Sequence, residues 1–233
     1  MIMHNGLRLS CNSIGSGCIR DILKANKGVA EPQHERAFAE ILRVMGPSPL
    51  ILDVGARNGF YSMWMKKVRP GARCVVVEPN KRHLENSRKN FALNKLYAQF
   101  YNAYVSMSTG RRVEGVEVVS VEEIARRLRA DYINLLHADI EGYEMELIKG
   151  AIPVLKDRRV DYFVLSTHTD GLHRQCKALL ETQRYLVIAD IPPAMSYVSD
   201  GLLVARRSEL RGLDVIPLSQ KPAQPMMEEA NVK

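Results

Sequence analysis

Hydrophobic residues along the chain fall into two recurring patterns. Short runs rich in β-branched residues, such as residues 50–54, have the length and composition of buried strands. Between these runs, apolar residues recur at helical spacing, as in residues 60–68, until a glycine or proline ends the pattern. Strands that alternate with helices predict an α/β fold, with a mostly parallel sheet, helices on both faces and an antiparallel last strand at its edge.

The pattern places most elements along the chain. Strands are predicted at residues 50–54, 72–77, 98–106, 113–119, 132–140, 161–169, 185–191 and 201–206. Helices are predicted at residues 31–46, 60–68, 81–94 and 173–183, with a short one capped by Ser120 and another after Gly142 that Gly150 and Pro153 divide in two. We expect an irregular N-terminal cap at 1–30, one folded domain at 31–210 and a flexible tail at 211–233.

Composition narrows the class of protein. The 233 residues are 46% hydrophobic and 25% charged, values typical of a globular domain. No apolar run approaches the roughly 20 residues that span a bilayer, and the N-terminus does not resemble a signal peptide. The four cysteines are scattered without a C-x-x-C pair. We therefore expect a cytoplasmic protein with reduced thiols and no membrane partner.

The first predicted strand leads into a glycine turn, Asp53-Val54-Gly55-Ala56-Arg57-Asn58-Gly59. The turn lacks the lysine of a phosphate-binding P-loop, and Asp53 replaces the first glycine of a dinucleotide fingerprint. An acid would repel a pyrophosphate but suits a cationic or hydroxyl-rich ligand. S-adenosylmethionine, with its sulfonium, ammonium and ribose diol, is such a ligand.

Other polar residues lie where predicted strands end, and parallel strands end at one edge of a sheet. Glu78 and Pro79 follow the second strand, and an acid there can accept hydrogen bonds from ribose hydroxyls. We assign cofactor binding to Asp53, Gly55, Ala56, Asn58, Gly59, Glu78 and Pro79.

Two histidines and an acid are the candidates for catalysis. His137 and Asp139 alternate along one strand and so face the same side, and His168 ends the next strand. We expect the three to form a catalytic cluster with His168 as the general base. The same side chains could instead bind zinc, iron or manganese, although we assign no metal, and His137 could be merely a buried strand residue.

Seven stretches, in order, resemble the FkbM family of S-adenosylmethionine-dependent methyltransferases. They are GVAEP (28–32), DVGARNGFYS (53–62), VVEPN (76–80), NFALN (90–94), NAYVSMSTG (102–110), SVEEI (120–124) and HADIEGYEMELIKGA (137–151). The resemblance spans roughly residues 28–207 and implies a class I methyltransferase (Rossmann-like) fold. It also implies cofactor roles for Asp53, Gly55, Gly59 and Glu78, and O-methylation of a sugar, polyketide or similar metabolite. Many members carry lysine where this chain has His137.

The charge distribution leaves alternatives open. The net charge is +7, and nine lysines and arginines lie between residues 66 and 95. That stretch could serve an RNA or protein methyltransferase, but no aromatic ladder for base stacking accompanies the charges, so nucleic acid is not our expected partner. A nucleoside-binding module without catalysis is the third reading, and a nicotinamide dehydrogenase is disfavoured by the missing glycine. The expected partner is a small-molecule or glycan hydroxyl acceptor, and a homodimer is compatible with the sequence.

Overall fold

A computed structural model describes residues 1–15 and 17–222 of the chain. Ten strands are present in these ranges: β1 Leu50–Val54, β2 Arg73–Val77, β3 Gln99–Tyr101, β4 Ala103–Val105, β5 Arg112–Val113, β6 Val116–Val119, β7 Ile133–Ala138, β8 Val160–Thr167, β9 Tyr185–Ile191 and β10 Gly201–Arg207. Seven form one sheet in the order β3-β2-β1-β7-β8-β10-β9. The pairs from β3 to β8 are parallel, as the alternation of strands and helices predicts.

Seven α-helices accompany the strands in the same ranges: α1 Gly17–Ala25, α2 Pro32–Val44, α3 Phe60–Val68, α4 Lys81–Leu93, α5 Val121–Arg127, α6 Glu144–Lys156 and α7 Asp170–Thr182. Two hydrophobic clusters lie on opposite faces of the sheet. Phe38 of α2 and Met63 of α3 pack in one cluster, and Leu147 of α6 and Leu180 of α7 pack in the other. None of the helices described has the length and hydrophobicity needed to cross a bilayer.

The antiparallel last strand is confirmed, but its position at the edge is wrong. β10 pairs in antiparallel fashion with both β8 and β9, and so lies inside the sheet. Its residues are buried from Gly201 to Arg206. A strand at the edge of a sheet has one row of backbone N–H and C=O groups without a neighbouring strand. Strands on both sides of β10 pair with these groups, and both of its apolar faces are buried.

The predicted strand at residues 98–106 is two strands in two sheets. β3 adds to the main sheet, whereas β4 joins β5 and β6 in a small sheet of order β4-β6-β5. Asn102 lies at the division, and its side-chain amide donates to the carbonyl oxygens of Glu78 and Pro79. The chain therefore passes from the main sheet to the small sheet at Asn102, and β4 lies beside the end of β2.

The predicted break at Gly150 and Pro153 is also wrong, since α6 continues through both residues. Leu147, Ile148, Val154 and Leu155 are fully buried against the sheet. Burying such a side chain contributes about 1.5–3 kcal/mol, and four of them outweigh the roughly 3 kcal/mol that a proline costs inside a helix.

The two ends of the chain are more ordered than the sequence suggests. The predicted irregular cap contains α1. Residues 211–222 contain no helix or strand, but Ile216 is buried and its N–H donates to the Ile188 carbonyl oxygen. That part of the predicted tail packs against the sheet, and residues 223–233 lie outside the described residues.

Gly150→Ala tests the packing of α6. A Cβ atom at this position would lie 2.5 Å from the carbonyl oxygen of Ser106. We expect the free energy of unfolding to fall by about 1–2 kcal/mol. Overpacking costs about 1–3 kcal/mol, and the higher helix propensity of alanine offsets at most about 1 kcal/mol of that cost. Urea denaturation measures the change. The control Lys149→Ala, on the exposed side of α6, should change stability by no more than about 0.5 kcal/mol. Greater stability of Gly150→Ala would contradict the close approach.

Candidate functional site

The chain segments that leave β1 and β7 touch each other through their backbones. The Asp139 N–H donates to the Val54 carbonyl oxygen over 3.0 Å, and the Gly55 N–H donates to Val77 at the end of β2 over 2.9 Å. Gly55 has a φ of 72°, and a Cβ atom there would lie 1.8 Å from the Asp139 carbonyl oxygen. Only glycine permits this approach, so Gly55 joins the ends of three strands.

Asp53 and His137 form a buried pair directly beneath this contact. They are register partners on β1 and β7, and His137 Nδ1 donates to Asp53 Oδ1 over 2.8 Å. Asp53 is 1% exposed and also accepts from the Ser62 N–H. Burial acts to lower the pKa of His137, but the hydrogen bond and charge of Asp53 outweigh it and the pKa is raised. The two side chains therefore form a buried imidazole–carboxylate hydrogen bond within the core, and His137 Nε2 has no hydrogen-bond partner among the described residues.

This pairing separates His137 and Asp53 from the ligand-binding surface. The His137 ring packs against Tyr61 and Phe38, with centroids 4.3 Å and 6.3 Å away. His137 is 2% exposed. The structure thus places His137 as a buried, hydrogen-bonded strand residue, and its catalytic role stays a prediction. Asp53 likewise lies buried at the base of the turn, and its cofactor role stays a prediction.

A cavity of about 760 Å³ opens where β1, β2 and β7 end and extends to the small sheet. Three of the predicted cofactor residues line it: Gly55, Glu78 and Pro79. The other three of the turn shape it. Ala56 accepts from the Gly59 N–H, Asn58 Oδ1 accepts from the Phe60 N–H, and Gly59 has a φ of 76° at the start of α3.

Several wall residues have no signal in the pattern of the sequence. They come from the turn, from α4, from the small sheet and its loops, from the loop before α6 and from α6 itself, and include Arg57, His83, Ala103, Tyr104, Ser106, Arg111, Ile140, Tyr143 and Glu146. The positions of those in the small sheet depend on the change of sheet after β3. The NAYVS stretch quoted above contains three of them, so family resemblance was the one indication available for that part of the wall.

Glu78 is the buried acid of the cavity wall. Its Oε2 accepts from the Arg57 N–H over 3.0 Å, and its Oε1 accepts from the Asn80 N–H over 2.9 Å. Burial raises the pKa of Glu78, and these two N–H groups partly oppose the shift. Each carboxylate oxygen has a second lone pair, so Glu78 can still accept from a ligand hydroxyl.

His168 lies among four carboxylates at the end of β8. Its Nδ1 donates to Glu144 Oε1 over 2.7 Å. Its Nε2 lies 3.4 Å from both Asp139 Oδ1 and Glu141 Oε2, and 3.8 Å from Asp200 Oδ1. The predicted neighbourhood of Asp139 and His168 is confirmed, and Asp200 is a residue that the sequence did not indicate. Asp200 lies beside His168 because the next residue along the chain, Gly201 of β10, pairs with Thr167 of β8.

The carboxylates control the charge of His168. Asp139 and then Glu144 raise the pKa of His168 to about 10, with burial opposing them. Burial acts to raise the pKa of Asp139, but His168 and His137 outweigh it and lower that pKa. A histidine protonated at neutral pH cannot accept a proton, so these pKa shifts do not favour the predicted role of His168 as the general base.

A family model described as the methyltransferase FkbM domain matches residues 53–187, more than half of the chain. The chain belongs to the FkbM methyltransferase family. Methyltransferase sdnD of Sordaria araneosa is 24% identical, with 61% of this chain and 76% of sdnD covered.

Solved structures share the fold at low identity. Precorrin-6y C5,15-methyltransferase from Geobacter metallireducens has a TM-score of 0.52 and 15% identity, covering 88% of this chain and 97% of that one. The METTL16 methyltransferase domain has a TM-score of 0.54 and 9% identity, covering 75% of this chain and 66% of that one. The FkbM chain therefore has the class I methyltransferase fold, with its mostly parallel seven-stranded sheet.

The cofactor of this methyltransferase is S-adenosylmethionine, and the cavity fits it. The volume lies within the range of about 300–1,000 Å³ typical of small-molecule sites. Glu78 offers free lone pairs to the ribose diol, and apolar wall residues such as Val54, Ala103 and Val105 suit a flat base.

Glu78→Ala should weaken S-adenosylmethionine binding by about 1–3 kcal/mol, the usual scale for losing hydrogen bonds to a charged group. Isothermal titration calorimetry measures the affinity. Glu85→Ala, which removes an exposed acid on α4, is the matched control and should bind as the wild type does. If Glu78→Ala and Glu85→Ala bound S-adenosylmethionine with equal affinity, the assignment of Glu78 to the cofactor would be wrong.

His137→Leu separates the structural role of His137 from a catalytic one. His137→Leu leaves the buried Asp53 carboxylate without its imidazole partner. Leaving a buried charge uncompensated costs about 3–5 kcal/mol, and we expect that loss in urea denaturation, with folded protein still binding S-adenosylmethionine. The double variant Asp53→Asn/His137→Leu should recover part of the loss, since no charge is left buried. Unchanged stability together with abolished turnover would instead support the predicted catalytic role.

Proposed function

We propose that the protein is an O-methyltransferase that transfers the methyl group of S-adenosylmethionine to a hydroxyl of a small metabolite or glycan, such as a sugar or polyketide. The observation that carries the proposal is the position of Asp139. Like Glu141, it lines the cavity and contacts His168, but it is the less exposed of the two and lies at the end of a strand next to the glycine turn.

Asp139 has the properties of a group that holds a hydroxyl. Its side chain is 34% exposed. Oδ1 is buried on the side of His168, without a hydrogen-bond partner among the residues that the structure describes, so Oδ2 is the oxygen left for a ligand in the cavity. A carboxylate accepts hydrogen bonds only, so it suits the O–H donor of an alcohol. His168 itself is not on the cavity wall, and its contact with Asp139 makes it a positioning residue.

Different residues of the cavity bind the cofactor and orient the acceptor. Bound S-adenosylmethionine supplies a methyl group already activated by a positively charged sulfur. Asp139 would orient the acceptor oxygen and take its proton as the oxygen–carbon bond forms and the sulfur–carbon bond breaks, which leaves the cofactor as a neutral thioether and needs only a weak base. Glu78 and the glycine turn hold the cofactor end of the cavity, and Tyr143 and Glu146 border the acceptor end.

The basic stretch supports a small acceptor over a nucleic acid. Lys66 and Lys67 donate to the carbonyl oxygens of Ala72 and Asn5, and Arg69 donates to those of Leu42 and Met45. These three of the nine cations between residues 66 and 95 are held within the fold, so their side chains are less free to contact phosphates. The cavity is also of a size suited to a small ligand.

Asp139→Asn should lower kcat/KM for a hydroxyl acceptor at least tenfold, about 1.4 kcal/mol of barrier, with little change in S-adenosylmethionine affinity. An acceptor is first found by incubating the protein with sugars and polyketide alcohols and detecting methyl ethers by mass spectrometry. Asp131→Asn is the matched control, because Asp131 is exposed and precedes β7 at the opposite edge of the sheet.

Two results would count against the proposed acceptor. One is methyl transfer to RNA or protein with none to any alcohol. The other is an Asp139→Asn variant that turns over as fast as Asp131→Asn does. A strongly salt-dependent affinity for RNA would point to the nucleic-acid alternative.

A further inference from the structure

We propose that Asp139, His168 and Asp200 bind a divalent metal ion at the edge of the acceptor cavity. The three side chains come from the ends of β7 and β8 and from the start of β10, and one possible ligand atom of each lies within 4.8 Å of the others. Glu141 Oε2 lies 3.4 Å from His168 Nε2 and can supply a fourth ligand. The proposal concerns the same cavity as the proposed function and rests on it only for what the ion does there.

The distances fit ligands of a common ion better than hydrogen bonds. Charge-assisted hydrogen bonds from nitrogen to a carboxylate are about 2.7–2.9 Å long. His168 Nε2 is 3.4 Å from Asp139 and 3.8 Å from Asp200, and Asp139 Oδ1 has no hydrogen-bond partner within the described ranges. Two ligands with metal bonds of about 2.1 Å lie about 3.0–3.6 Å apart for ordinary bond angles. The 3.4 Å separation of His168 from Asp139 lies within this range, whereas the 3.8 Å separation from Asp200 exceeds it, so Asp200 must move closer to complete the site.

Glu144 orients the histidine as metal sites require. A metal-binding histidine usually donates its other ring N–H to a carboxylate, which fixes the ring and the tautomer. Glu144 is wholly buried and accepts from His168 Nδ1 over 2.7 Å, which leaves Nε2 directed at Asp139 and Asp200. Glu144 Oε1 also accepts from the Gly142 N–H, so the carboxylate is itself held in place.

The composition of the cluster points to a particular class of ion. Four carboxylates surround one imidazole, and a divalent cation would offset this excess of negative charge. Carboxylate ligands suit magnesium and manganese, and imidazole suits zinc, iron and copper. Manganese(II) accepts both types and is therefore the probe of choice. In the bound state the ion occupies the position of the proton on His168 Nε2.

The location suggests what the ion contributes. Asp139 and Glu141 line the cavity, so an ion held by them faces the acceptor end. A cation there can bind the acceptor oxygen and make its proton easier to remove. Asp139 would then hold both the ion and the hydroxyl.

The test is manganese binding to the full chain after removal of metals with a chelator, without cofactor or acceptor. We expect calorimetry and the free-Mn²⁺ electron paramagnetic resonance signal to show one ion per chain, and pulsed resonance to show a coupled imidazole nitrogen. Asp200→Asn should weaken binding at least tenfold, and His168→Gln should also abolish the nitrogen coupling. Asp131→Asn should bind as the wild type does, and circular dichroism checks that each variant is folded.

The outcomes separate this proposal from the proposed function. No stoichiometric Mn²⁺ binding up to about 1 mM, or binding that Asp200→Asn and His168→Gln leave unchanged, would overturn the metal site and leave O-methylation untouched. The affinity of the wild type for S-adenosylmethionine, measured separately, reports on the methyltransferase alone. A metal bound by the three residues in a protein without alcohol methylation would uphold the site and refute only the proposed acceptor.

Discussion

The contact between the strand ends of β1 and β7 is the constraint on which the site depends. Asp53 and His137 hold the two strands together in the core, and one step further along, Gly55 lies against the backbone of Asp139. The turn that shapes the cofactor end and the residue that faces the acceptor end are therefore fixed by the same strand pair. A side chain at Gly55 would separate the two halves of the cavity, which is why the turn needs glycine there.

The acids at this edge of the sheet have different chemistry because they have different partners. Asp53 is paired with an imidazole in the core, and Glu78 is held by two backbone N–H groups on the cavity wall. Asp139 has an oxygen without a hydrogen-bond partner among the described residues and faces the cavity. Buried carboxylates differ in function according to what satisfies them. Glu78 thus has capacity left for the cofactor, and Asp139 for an acceptor or an ion beside His168.

Much of the sheet could be predicted from the sequence because its local signals agree. The strand runs, the glycine turn and the acid after β2 are features of neighbouring residues, and they located Gly55, Glu78 and Pro79 correctly on the wall. The alternation predicted His137 and Asp139 on one face of a strand, but Asp139 lies just beyond the end of β7 and lines the cavity, whereas His137 is buried. A pattern within one strand could not show that Asp53 on the adjacent strand accepts a hydrogen bond from His137 Nδ1, because side-chain pairing across strands depends on register.

Asp200 shows where prediction from the sequence stops and why. It follows a loop with no hydrophobic pattern, and its place beside His168 depends on β10 entering the sheet between β8 and β9 in the antiparallel direction. An antiparallel strand begins at the edge where its parallel neighbours end. The insertion therefore delivers a residue from the start of a strand to a site built from strand ends. A last strand at the edge of the sheet, beyond β9, would have left His168 without that carboxylate, so the order of the strands decides the composition of the cluster.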